Sequence, residues 1–196
     1  MFQKININIL DRMSYLEKLD TSDRTDGTSR LDRLRQIPAE TGKFLALMAA
    51  MAPDGTIVEI GTSAGYSTLW LSLSCHDNNR KIRTFEIMED KIKLARETFH
   101  LAGVEDVIEL IEGDAKKLLG EVKKITFCFL DAEKEDYISY YDIILPKMVS
   151  GGILIADNVI SHQEALEPFV KMAQNDCRVD ALVVPIGKGE LVCKKL

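Results

Sequence analysis

The sequence predicts an α/β protein whose mostly parallel sheet ends in an antiparallel hairpin, and three observations carry that expectation. Short apolar runs rich in Val, Ile and Phe trade places with amphipathic segments along most of the 196 residues. Residues 57–72, IVEIGTSAGYSTLWLS, pass from an apolar run through a small-residue loop into helical spacing. The strand-like runs 179–186 and 190–194 are separated only by Gly187-Lys188-Gly189, too short for a helical crossover.

Taken in order, residues 5–18 place Ile9, Met13 and Leu16 at helical spacing. Residues 20–27 contain no large apolar side chain and read as a mobile loop. Arg30, Arg33 and Arg35 follow, interleaved with Leu31 and Leu34; such a run is either a solvated face or a lid whose cations meet an anionic substrate. Pro38 restarts order, with Phe44, Leu45, Met48 and Ala49 on one helical face. Ile57, Val58 and Ile60 form the first strand; Tyr66, Leu69, Trp70 and Leu73 recur at i, i+3, i+4 and i+7. Next come strand 81–86, helix 90–102 stopped by Gly103, strand 107–111, a short helix from Asp114, and strand 125–130. Helix 137–147 packs through Tyr137, Tyr140, Tyr141 and Ile144. Gly151-Gly152 punctuate, and strand 153–156 is apolar on both faces, as central parallel strands are.

Length and composition fit one domain, 1–196, in which residues 1–37 are an N-terminal helix and lid-like extension. No apolar run approaches the ~20 residues that span a bilayer, and MFQKININIL lacks a signal peptide's continuous apolar segment, so a cytoplasmic protein without membrane contact is expected. Cys75, Cys128, Cys177 and Cys193 show no CxxC pairing and read as reduced thiols, not as disulfides or zinc ligands. A net charge of −6 supplies no field favouring nucleic acid. The apolar side chains Ile5, Ile7, Ile9, Met13 and Leu16 exceed what one helix face buries locally, which points to a homodimer.

Gly61 and Gly65 sit where the first loop turns, and a loop without Cβ atoms ahead of a helix start suits an anionic cofactor. The spacing Glu59-x-Gly61-x-x-x-Gly65, with Thr62 and Ser63 in between, departs from the G-x-G-x-x-G of dinucleotide folds. GTSAGYST resembles the first motif of S-adenosylmethionine-dependent methyltransferases, in particular the metal-dependent catechol and caffeoyl-CoA O-methyltransferase family. FLDAEKEDY at 129–137 and LIADNVI at 154–160 resemble that family's metal-binding segments, and the likeness extends from about residue 37 to the C-terminus. It implies a Rossmann-like seven-stranded methyltransferase sheet, order 3-2-1-4-5-7-6 with the last strand antiparallel, flanked by helices. It also implies that Glu59, Gly61, Ser63, Gly65 and Ser67 belong to the cofactor site, that Glu86 holds the ribose hydroxyls, and that Asp114 and Ala115 meet the adenine. Asp131 joins both the cofactor and metal sets, Asp157 and Asn158 complete the metal ligands, and Lys134 matches the catalytic lysine.

The residues themselves support the chemistry. Ligands of a doubly wound sheet gather at strand carboxyl ends where the order reverses. Adjacent strands lie ~4.8 Å apart, so Asp131 after strand four and Asp157-Asn158 after strand five can reach one ion. An all-oxygen set suits Mg²⁺, and also Mn²⁺ or Ca²⁺, and leaves about half an octahedral shell open. Metal coordination acidifies a bound hydroxyl, and Lys134, with a pKa depressed by the cation and partial burial, would take its proton. Asp114, Asp131 and Asp157 each have a plainer alternative as a helix cap, Glu86 one as a surface acid and His162 one as an exposed loop residue.

The expected reaction is therefore methyl transfer to a hydroxyl of a small vicinal diol. Ala132 and Glu133 stand where mammalian catechol enzymes place His and Trp, which leaves the acceptor open. Hydroxylated uridine of tRNA is one alternative, with Arg30, Arg33 and Arg35 as the phosphate patch. A nicotinamide-dependent oxidoreductase is another, since Glu86 falls ~20 residues after the second glycine.

Overall fold

In the computed structural model, which describes residues 1–75 and 80–196, seven strands form one sheet in the order β3-β2-β1-β4-β5-β7-β6. The strands are β1 (Thr56–Ile60), β2 (Ile82–Glu86), β3 (Ile108–Glu112), β4 (Ile125–Leu130), β5 (Met148–Ala156), β6 (Val179–Val184) and β7 (Glu190–Lys195). β1 to β5 run parallel, and β7 pairs antiparallel with both β5 and β6. The order and hairpin match the sequence reading.

Period-two alternation divides the core. Ile57, Phe127, Phe129 and Ile155 face α1 (Ile7–Asp23), α2 (Ala39–Met51), α3 (Tyr66–Ser72) and α4 (Glu89–Ala102). Val58, Ile60, Cys128, Leu130 and Leu154 face α5 (Ala115–Leu118), α6 (Tyr137–Ile144) and α7 (Gln163–Gln174). Both faces of the central strands are thus covered, which is why their sequences carry no polar face. α4 stops at Gly103, whose φ of 66° closes the helix end as expected. All four cysteines are free, and only Cys177 is exposed.

Three features differ from the sequence reading. Residues 20–23 are not loop: α1 continues to Asp23, and the buried carboxylates of Asp20 and Asp23 accept from the backbone N–H groups of Gln36 (3.1 Å) and Leu34 (2.7 Å). Gly151-Gly152 lie inside β5, in an irregularity where the pairing passes from Ile125↔Met148 to Phe127↔Ile153; Gly151 takes a φ of 79° there. α7 follows β5 unannounced, and Pro168 inside it blurs the local helix signal.

Candidate active site

The carboxyl ends of β1, β2, β4 and β5 open into a cleft of about 620 Å³, roofed by residues between α1 and α2. At its β1–β2 end the backbone is tightly prearranged. Gly61 has a φ of 97°, and a Cβ there would lie 2.1 Å from the carbonyl oxygen of Asp131, so only glycine lets the β1 loop lie against the end of β4. Glu86 accepts from the N–H groups of Ser63 (2.8 Å), Ile87 (2.8 Å) and Met88 (2.9 Å), fixing the loops after β1 and β2 around one carboxylate. Ser63, at a φ of 47°, donates its hydroxyl to the carbonyl of Leu34 in the roof at 2.9 Å.

Of the residues that the resemblance assigns to the cofactor, Gly61, Ser63, Ser67, Glu86, Asp114 and Ala115 line the cleft. Asp114 also caps α5, accepting from Lys116 N–H at 2.9 Å, so the helix-cap reading holds. Glu59 and Gly65 do not line it. Glu59 is fully buried below the loop, where it accepts from the hydroxyls of Ser67 (2.6 Å), Thr68 (2.5 Å) and Thr84 (2.6 Å). Burial pushes its carboxyl up to about 7, against the pull of those hydroxyls. Gly65 turns the chain into α3 at a φ of 87° and packs on Phe99, which a Cβ would meet at 2.5 Å. Both shape the loop between β1 and α3 from beneath, Glu59 through its hydroxyl partners and Gly65 through its close packing on Phe99.

At the β4–β5 end, Asp131 and Asp157 follow the paired residues Leu130 and Ala156, which brings them side by side. Lys134, in a 3-10 turn after β4, places its Nζ 3.0 Å from Asp131 Oδ1, 2.9 Å from the Ala132 carbonyl and 2.9 Å from the Tyr137 hydroxyl. Tyr137 in turn donates to the carbonyl of Asp157 at 3.2 Å, closing a chain between the two strand ends. Burial, then the charges of Asp131 and Asp157, hold the tyrosine hydroxyl well above its ordinary value, so it remains a donor. Burial also raises Asp131; Lys134 opposes the shift and Asp157 adds to it.

Asp131 and Asn158 reach the cleft, and Asp157 lies just below it, only 2% exposed, with Oδ1 accepting from Asn158 N–H at 2.5 Å. Asn158 adopts a φ of 72°, and its buried amide nitrogen has no hydrogen-bond partner. Among the described residues no three His, Cys, Asp or Glu side chains gather around one point, so an ion here depends on the Asn158 amide beside the two aspartates. The carboxylate oxygens of Asp131 and Asp157 with the amide oxygen of Asn158 form an all-oxygen set that fits a hard divalent cation, whereas the unpartnered Asn158 amide nitrogen is a donor and would not ligate it.

Arg30, Arg33, Arg35 and His162 also line the cleft. The arginine run is therefore part of the roof, which also receives Lys91 Nζ on the carbonyls of Asp32 and Arg33, and Arg35 reaches down to Glu133 at 3.0 Å. His162 is half-buried at the start of α7, not a free loop residue. Sequence reasoning missed Lys188, which lines the cleft from the β6–β7 turn, and Glu190. Glu190 is fully buried with neither oxygen partnered, and burial, then the charge of Asp157, pushes it up to about 10. The alternation of polar Glu190 with Leu191 and Cys193 facing the core was the only available signal.

A sheet of this order, with a carboxylate-pinned glycine loop abutting an aspartate–lysine–asparagine cluster, defines a Rossmann-like methyltransferase fold. The family model described as O-methyltransferase matches residues 11–196, and the chain belongs to that family. A caffeoyl-CoA O-methyltransferase of Populus kitakamiensis is 26% identical over 184 residues, covering 82% of this chain and 78% of the relative. A catechol O-methyltransferase of Mycobacterium tuberculosis is 32% identical over 126 residues, 63% of this chain and 57% of the relative. The O-methyltransferase of Bacillus cereus, solved in complex with SAH, superposes with a TM-score of 0.77 at 22% identity, covering 94% of this chain and 91% of that one, a likeness of fold. The oxidoreductase reading falls with the family assignment. Among the described residues no helix is long and apolar enough to cross a membrane.

Proposed function

We propose that the protein transfers a methyl group from S-adenosylmethionine to a hydroxyl of a small vicinal diol, aided by a divalent cation. The observation that carries this reading is the contact between its two halves: the cofactor loop at Gly61 lies against Asp131, which also belongs to the lysine-bearing acidic end. S-Adenosylmethionine would lie along Gly61, Ser63, Ser67, Glu86, Asp114 and Ala115, and it supplies the electrophilic methyl. Asp131, Asp157 and Asn158 would hold Mg²⁺, Mn²⁺ or Ca²⁺, which lowers the pKa of a bound hydroxyl.

The remaining chemistry belongs to the chain. Lys134 Nζ would take the proton of the acceptor hydroxyl as that oxygen receives the methyl group, the electron pair of the methyl–sulfur bond remaining on sulfur. Tyr137 orients that amine through its 2.9 Å hydrogen bond. The roof, fastened by Ser63, Lys91, Asp20 and Asp23, excludes water and sets the approach of the acceptor. Residues 1–37 thus serve the same catalytic domain, 1–196. The tRNA alternative draws no support from the relatives above.

The test is methyl transfer from labelled S-adenosylmethionine to a dihydroxyphenyl panel with and without chelator. Transfer should stop on chelation and return with Mg²⁺ or Mn²⁺; transfer indifferent to chelator removes the cation from the mechanism. The exposed Ile7, Leu10 and Tyr15 on α1 support a homodimer. A monomeric mass by light scattering at micromolar concentration would contradict it.

A further inference from the structure

The cations lining the cleft separate by their partners. Arg24, Arg35, Lys116 and Lys134 each meet a carboxylate, and Lys91 and Arg33 donate to roof carbonyls. Arg30 and Lys188 line the same cleft, and neither side chain has a hydrogen-bond or ion-pair partner among the described residues.

Lys188 is not a stray surface lysine. It is half-buried, at the tip of a turn wedged between two elements. A Cβ at Gly187 would meet Thr41 Oγ1 of α2 at 2.1 Å, and one at Gly189 would meet Ile160 at 2.3 Å. The Lys188 carbonyl accepts from Ile160 N–H (3.2 Å) and Ser161 N–H (3.0 Å), and Gly189 carbonyl from Val159 N–H (2.9 Å). The turn is thereby fixed beside Asn158 and His162. Arg30 reaches the same cleft from the roof, and His162 lines it as well. Lys188, in the turn between β6 and β7, lies on the β5–β7 side of Asp131, away from the β1 and β2 ends that carry Gly61 and Glu86, so it faces the acceptor side of the cleft.

We propose that Lys188 and Arg30 recognise an anionic group on the methyl acceptor, so that the enzyme prefers vicinal diols carrying a carboxylate or phosphate over neutral ones. The proposal rests on the diol O-methylation reading and names its substrate class. The competing role for Lys188 is as counter-charge to Asp131 and Asp157, and the experiment separates the two.

The full-length protein, with S-adenosylmethionine and Mg²⁺, is assayed on 3,4-dihydroxybenzoate against its methyl ester, and on 3,4-dihydroxybenzyl phosphate against the free alcohol. The charged member of a pair should show kcat/KM higher by about tenfold or more, mainly through KM, as a charge-assisted contact provides. The pair with the larger ratio identifies carboxylate or phosphate as the group. In Lys188→Gln and Arg30→Gln the charged-to-neutral ratio should fall towards one. Equal rates within each pair for the wild type overturn the proposal, as does a ratio unchanged in both variants. Parallel loss on charged and neutral diols assigns Lys188 to the counter-charge role and also overturns it. Should Lys188→Gln fail to fold, Arg30→Gln, on the exposed roof, carries the comparison. If no diol is methylated, the diol reading fails separately; calorimetric binding of 3,4-dihydroxybenzoate and its ester to the protein with S-adenosylhomocysteine then decides, with equal affinities overturning the anion preference.

Discussion

The two ends of the cleft are built to opposite rules. At the β1–β2 end every carboxylate is satisfied: Glu86 by three backbone N–H groups, Glu59 by three hydroxyls. At the β4–β5–β7 end the Asn158 amide nitrogen and both oxygens of Glu190 are buried without partners. A buried unsatisfied polar group costs about 1–3 kcal/mol, so the second end carries strain that the first does not. A rigid, complete end suits a ligand of one fixed structure that is bound by a preformed surface. An incomplete end with oxygen ligands and unmatched cations suits a cation and an acceptor that complete it on binding, which is the physical content of the proposed division between cofactor and acceptor.

The sharpest break of this contrast is at Lys134. Lys134→Met keeps most of the aliphatic stem and deletes the amine, so kcat should fall by roughly 10²–10⁴-fold, the range for loss of a general base. Affinity for S-adenosylhomocysteine by calorimetry should stay nearly constant, because that end does not depend on the lysine. Raising the pH should recover part of the rate; wild-type turnover between about pH 6 and 9 would show that Lys134 is not the base.

Gly61→Ala attacks the seam between the ends. The new Cβ meets the Asp131 carbonyl, and alanine is strained at a φ of 97°. The folded state should lose about 1–3 kcal/mol, read by urea denaturation. Cofactor and acceptor binding should weaken together; loss of one alone would mean that the two ends are not mechanically joined.

The smallest effect is a pH slope from Glu59. Its carboxyl titrates at about 7 in the folded protein against 4.5 as the reference. Between those values the folded state retains a proton that the unfolded chain has released, so stability falls as pH rises through this window. Glu59→Gln should flatten that part of the slope in denaturation midpoints taken at about pH 5 and 8. An identical slope in both proteins would mean that burial of Glu59 does not set its proton affinity.

Most of this was legible where neighbouring residues spell out their own environment. The β1 loop, Asp131 and Asp157-Asn158 sit at abrupt ends of apolar runs, so strand ends and polar ligands could be read together. Gly61 was readable as a close approach, but not what it approaches. Lys188 and Glu190 escaped because their place beside β5 exists only after the hairpin folds back, and the intervening sequence reads as a turn and a strand. Asp20 and Asp23 looked like loop polarity because their partners, the N–H groups of Gln36 and Leu34, lie far along the chain. Glu59 and Gly65 were read as ligand contacts because a motif reports which residues shape a loop, not which face of it they occupy.

The central claim is that the unsatisfied end of the cleft takes a divalent cation, and Mn²⁺ titration followed by electron paramagnetic resonance tests it without any turnover. With S-adenosylhomocysteine present, the wild type should take up one Mn²⁺ per chain, and Asp157→Ala and Asn158→Ala should each weaken uptake by about tenfold or more. No stoichiometric uptake by the wild type, or uptake unchanged in both variants, would contradict the account.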